Sequence, residues 1–88
     1  MPESLKVTLL TQPDCRWCED AKALLDRLAR EYPMTIESLE LASAEGEQAA
    51  GGAILFAPGI LLDGEPLCYG RPSERKLRHA LAAHATTH

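Results

Sequence analysis

The 88 residues read as one small domain, 1–88, with one modest core, and 45% apolar with 25% charged residues excludes a disordered chain. A net charge of −4 argues against nucleic acid as the main partner, and no apolar run approaches a membrane span. Three cysteines make a poor structural framework, because the odd one has no mate.

In chain order, "LKVTLLT" (Leu5 to Thr11) is rich in leucine, valine and threonine and predicts a buried strand. Pro13 and Asp14 make a loop. From Arg16 to Tyr32, Trp17, Ala21, Leu24, Leu25, Leu28 and Tyr32 fall on one helical face, and Pro33 stops the helix. "MTIESLEL" (Met34 to Leu41) alternates as a half-buried strand does. Ser43 caps a short helix over Ala44 to Ala50, limited by Gly46 and by Gly51-Gly52.

The run "AILFAPGILL" is apolar throughout, as in a doubly buried strand, but Pro58 interrupts it. Either the strand starts at Pro58 or the proline marks a special turn. Asp63-Gly64 is a hairpin signal, with Leu67 to Tyr69 as the return strand. Ser73 caps a final helix carrying Leu77, Ala80, Leu81 and His84 on one side, fraying from about Ala85. The first crossover makes strands one and two parallel, and the hairpin makes the last two antiparallel. The expected architecture is α/β: βαβαββα, a mixed four-stranded sheet with helices on both faces.

Cys15 and Cys18 stand at the turn from strand to helix, in "TQPDCRWCED". The N-terminus shows no basic region followed by a long apolar segment, so no secretory signal is expected and the expected compartment is the reducing cytoplasm. A Cys-x-x-Cys pair there serves redox chemistry or binds metal. Copper and mercury modules also place such a pair after a first strand, but they favour a methionine before it and end in a strand.

Four features in order resemble the thioredoxin superfamily, on its glutaredoxin-like side. They are a strand ending in "TQPDCRWC", a helix with "AKALL", a proline opening an apolar strand that ends in "DGE", and "YGRPSERKL" leading into the last helix. The resemblance implies a thioredoxin-like, glutaredoxin-type fold and dithiol-disulfide exchange with no cofactor and no metal. It implies a cis bond at Pro58, beside Cys15 and Cys18, and a substrate groove bordered by Arg16, Trp17, Ala57, Tyr69, Gly70 and Arg71. The implied partners are a protein disulfide substrate and a reductase or low-molecular-weight thiol as electron source, with the protein a monomer. Arg16-Trp17 departs from the usual intervening pairs, Gln12 replaces a common lysine, and the glutathione-binding Gly-Gly-x-Asp-Asp type of segment is absent. "YGRPSE" is closer to the glutaredoxin-like electron donors of ribonucleotide reductase, which are served by thioredoxin reductase.

The thiolate is the nucleophile in exchange. At a helix start the Cys15 sulfur can accept from the N–H groups of Trp17 and Cys18, aided by the dipole and Arg16 and opposed by Asp14, Glu19 and Asp20. A moderately lowered pKa is expected, well above the roughly 3.5 of the most acidic oxidoreductases. Cys15 attacks and Cys18, one turn on, resolves the mixed disulfide. Two other readings stand beside this one: a soft-metal chaperone with Cys15 and Cys18 as ligands, and a redox-inactive interaction domain. Trp17 lies either beside the dithiol or on the inner helix face. Cys68 reads as a small packer, with a regulatory or metal role as the alternative. His79, His84 and His88 show no ligand pattern.

Overall fold

Leu5–Thr11 forms the first strand, β1, and lies inside the sheet because both its faces are apolar or small: Leu5, Val7, Thr8, Leu9 and Leu10 are all buried. In this computed structural model, which describes the backbone of residues 5–87 and the side chains of 5–84, six further elements follow. They are α1 (Arg16–Leu28), β2 (Met34–Glu40), α2 (Ala44–Ala50), β3 (Gly59–Leu62), β4 (Glu65–Tyr69) and α3 (Glu74–Thr87). The sheet order is β2-β1-β3-β4. β1 pairs parallel with β2 and antiparallel with β3, and β3 pairs antiparallel with β4, as the crossover and the hairpin require.

Two apolar clusters follow from the alternation of β1. Leu5, Val7 and Leu9 meet Ala21, Leu24, Leu25 and Leu28 of α1 and Leu77 and Leu81 of α3. Leu10 meets Leu61, Ile54 and Ala50 of α2 on the opposite face. Between α1 and α3, Arg27 pairs with Glu74, and Arg78 grips both Glu74 and Glu31. Hydrogen bonds from Arg78 hold the Glu31 and Glu74 carboxyls below the usual carboxylate range.

α1 ends at Leu28 rather than Tyr32. After Leu28 the chain tightens, with Arg30 N–H bonding the Arg27 carbonyl and Glu31 N–H that of Leu28. Pro33 disfavours helical backbone at Tyr32, and Tyr32 still packs its ring on the core. β2 ends at Glu40, although Leu41 N–H still bonds the Thr11 carbonyl at 2.8 Å. β4 starts earlier than Leu67, at Glu65, because the turn brings Asp63 and Gly64 into left-handed backbone and pairing resumes at once. A bulge between Ile60 and Leu61 lets Pro66 sit in this edge strand. α3 stays helical to Thr87 instead of fraying from Ala85, since no glycine or proline interrupts it. Residues 1–4, on which part of the leader expectation falls, and His88 lie outside the described residues.

Ser43 caps α2, accepting from Gly46 N–H at 3.0 Å, and Gly51 closes it in left-handed conformation. Gly46 does not limit this helix. It is buried because the helix crosses the end of β2 so closely that a Cβ there would collide with the Glu40 carbonyl.

Gly46→Ala, normally worth about 1 kcal/mol of gain in a helix, should here destabilise the protein by about 2 kcal/mol through overpacking, read by urea unfolding. The Arg78 network gives a second expectation. Its carboxylates titrate lower in the folded state, so their contribution is complete above the unfolded pKa of about 4.3 and is lost as pH falls through the lower folded values. Melting curves between about pH 6 and pH 3 should therefore fall less steeply for Arg78→Ala than for the parent protein.

Candidate functional site

β1 delivers the chain to the dithiol through a turn in which Asp14 takes left-handed backbone, a conformation aspartate tolerates. Cys15 follows as the N-cap of α1, with extended backbone, and its Sγ accepts from Cys18 N–H at 3.0 Å. Of the two expected donors, Cys18 is the one that meets the sulfur. One orphan amide of the helix start is thus satisfied by sulfur. The two cysteines are joined in a disulfide with Cα atoms 5.2 Å apart. Cys15 is half-buried, whereas Cys18 is 5% exposed against the helix's inner face.

The Ala57–Pro58 bond is cis. β3 runs antiparallel to β1 with Gly59 opposite Leu10, so Pro58 falls at the level of Thr11, at the dithiol end of the sheet. Gly59 also faces Tyr69 of β4, and Gly70 N–H bonds the Pro58 carbonyl at 2.7 Å. Gly70 is buried and left-handed, where a side chain would press on the Phe56 ring. Cys15, Cys18, Ala57, Pro58, Tyr69 and Gly70 thus gather at one sheet end, although Ala57 and Pro58 are buried.

The other expected groove residues lie further out. Trp17 is 46% exposed, since Ala21, Leu24, Leu25 and Leu28 already fill the inner face of α1. Arg16 points to solvent with its guanidinium 3.9 Å from Asp20. Arg71 lines a separate recess with Asp20, Arg27 and Glu74 on the flank of α1. The recess at the dithiol itself is walled by Thr11, Gln12, Asp14, Glu19 and Lys22, and Lys22 is drawn to Asp26 at 3.5 Å.

Sequence reasoning missed Leu55 and Phe56. Both stand in the loop ahead of the cis proline, and both are exposed, Leu55 at 68%. Phe56 meets Tyr69 edge-on, ring centres 4.9 Å apart. No local signal marks them, since Ile54 and Ala57 of the same apolar run are buried.

Cys68 sits half-buried in β4 against the main cluster. Burial pushes its thiol above the ordinary range, and nearby Lys76 only partly offsets this. His79 is exposed, while His84 Nε2 lies 3.8 Å from Asp63. Among the described residues no group of three or more His, Cys, Asp or Glu is placed to hold a metal ion.

No family model matches the chain. It is 30% identical over 78 residues to a thioredoxin of Methanocaldococcus jannaschii, covering 88% of this chain and 92% of that protein. A mutant thioredoxin from Halobacterium salinarum superposes with a TM-score of 0.70 at 17% identity, over 91% of this chain and 74% of that one. A protein of unknown function from Staphylococcus aureus superposes at 0.73 and 13% identity, over 98% and 95%.

Thiol labelling tests the site's asymmetry. In the oxidised protein only Cys68 is a free thiol, and iodoacetamide at pH 7 should modify it more slowly than an unfolded cysteine. After reduction, Cys15 should be modified first and fastest, as peptide mass mapping will show.

Proposed function

This chain belongs to the thioredoxin superfamily and is in general terms a thiol-disulfide oxidoreductase, and we propose that it is a dithiol electron carrier that reduces protein disulfides. The observation that carries the reading is the sulfur pair at the start of α1, with Cys15 the more open partner and Cys18 behind it. The amide that meets Cys15 Sγ in the disulfide is available to a thiolate, for which a hydrogen bond from N–H is stronger. Asp14 and Glu19 in the same recess work against the anion as like charges.

In this mechanism the Cys15 thiolate attacks one sulfur of the substrate disulfide, and the other sulfur leaves as a thiolate. Cys18 then loses its proton and attacks the Cys15 sulfur, which expels the second substrate thiol. The substrate gains two electrons and the protein ends as the Cys15–Cys18 disulfide. Ala57, Pro58, Tyr69 and Gly70 edge the reaction face, and Trp17, Arg16 and Arg71 meet the partner further out. A thioredoxin reductase or a low-molecular-weight thiol restores the dithiol, in a reducing cytoplasm, with the protein acting as a monomer. Among the described residues no helix is long and apolar enough to cross a membrane.

Insulin reduction should vanish with Cys15→Ser, and Cys18→Ser should accumulate a mixed disulfide with its substrate, seen on non-reducing gels. Oxidised protein offered NADPH with thioredoxin reductase, and separately with glutathione and its reductase, should consume NADPH in one arm and so name the reductant. No turnover in either arm, with stoichiometric copper or zinc uptake, would give the site to a soft-metal chaperone instead.

A further inference from the structure

The chain sets 9 lysines and arginines against 13 aspartates and glutamates, yet its unpaired cations are not scattered. Lys6, Arg16, Lys22, Arg27 and Arg78 each lie against a carboxylate. Arg71, Arg75 and Lys76 are exposed, and none of them has an ion-pair partner among the described residues. They surround the start of α3, where Ser73 Oγ accepts from Lys76 N–H at 3.2 Å and Leu77 anchors the helix in the core. We propose that these three cations form a docking face for an acidic surface on the disulfide-bearing protein substrate. The proposal rests on the carrier reading above and adds to it the charge that the substrate must present.

Position ties this face to the chemistry. Arg71 directly follows Gly70, whose N–H bonds the Pro58 carbonyl, and Lys76 shares a recess with Tyr69 and Cys68. The two cations thus flank Tyr69-Gly70, the β4 edge of the reaction face. The carboxylates that share a recess with Arg71 are already engaged, Asp20 by Arg16 and Glu74 by Arg27 and Arg78. Sheet order separates the charges further. β2 and β4 are opposite edges of the sheet, and Glu40, Glu45 and Glu47, exposed and without ion-pair partners among the described residues, stand on β2 and α2. Asp63 and Glu65 belong to the β3–β4 hairpin, at the sheet end away from the dithiol. An acidic partner is therefore repelled by a chain of net charge −4 in most orientations and attracted at the start of α3. That orientation brings the surface it presents up to Tyr69-Gly70 and the dithiol.

The test uses two synthetic peptides, each with one cysteine in mixed disulfide with 2-mercaptoethanol. A flexible Gly-Ser spacer joins that cysteine to a run of glutamates in one peptide and of glutamines in the other. Stopped flow follows oxidation of the pre-reduced full chain by each peptide and by hydroxyethyl disulfide. At low salt the parent protein should prefer the glutamate peptide, and at about 1 M salt, where charges are screened beyond ~3 Å, the preference should vanish. Lys76→Glu should lower the low-salt rate ratio of glutamate to glutamine peptide about fivefold, the upper scale of one exposed ion pair. Arg75→Glu, at a second exposed position, should act in the same direction. Arg30→Glu makes the same change of net charge at an exposed position beyond the end of α1 and should retain the parent ratio. No preference in the parent protein, a preference that survives in Lys76→Glu and Arg75→Glu, or an equal loss in Arg30→Glu would overturn the docking face alone while hydroxyethyl disulfide is still reduced. Failure of the parent protein on all three disulfides would overturn the carrier reading and this one with it.

Discussion

The antiparallel register of β1 on β3, with Leu10 opposite Gly59, decides which parts of the chain can meet the dithiol. β1 ends at Thr11 and hands the chain to Cys15, while β3 begins beside it, preceded by the cis proline. A strand slipped by one residue would turn its core side chains outward and strand the apolar clusters on both faces. The register is therefore held by Val7, Leu9 and Leu10, and the reaction face inherits its geometry from them. Asp63 reinforces the far end, where its N–H bonds the Lys6 carbonyl and its carboxylate accepts from Lys6 N–H.

The two faces of the sheet do different work. On one, α1 and α3 are joined by a shared leucine core and by Arg78, which fixes the helix that presents both sulfurs. On the other, α2 approaches β2 closely enough to exclude a side chain at Gly46. The loop between α2 and β3 is anchored by Ile54 beneath and by Phe56 against Tyr69 and Gly70 above. Its exposed residues are thus positioned rather than loose.

Much of this was legible in the residues. Local chemistry sufficed for the cap at Ser43, the turn at Asp63-Gly64 and the face of α1 that carries Leu24, Leu25 and Leu28, because each depends on near neighbours in sequence. The cis bond at Pro58 came from family resemblance, since X-Pro bonds are mostly trans and nothing local marks this one. The exposure of Leu55 and Phe56 was not legible, because an apolar run reads as buried until its cross-strand partners are known. Gly46 likewise reads as a helix breaker, and only the crossing of α2 over β2 shows why it is glycine. Arg71 was expected at the groove from the family resemblance, and only the folded chain shows that it also lines a recess with Asp20, Arg27 and Glu74 on the flank of α1.

Cys15 and Cys18 are separated by a single turn of the same helix, and neither is linked to a distant part of the chain. A clasp that short encloses almost no chain, so its opening hardly alters the freedom of the unfolded polypeptide. The leucines beneath it belong to α1, β1 and α3, and neither cysteine is a member of the cluster they form. Thiol-disulfide chemistry is thereby set apart from the architecture: the bond that opens and closes is not one of the contacts that hold sheet and helices together.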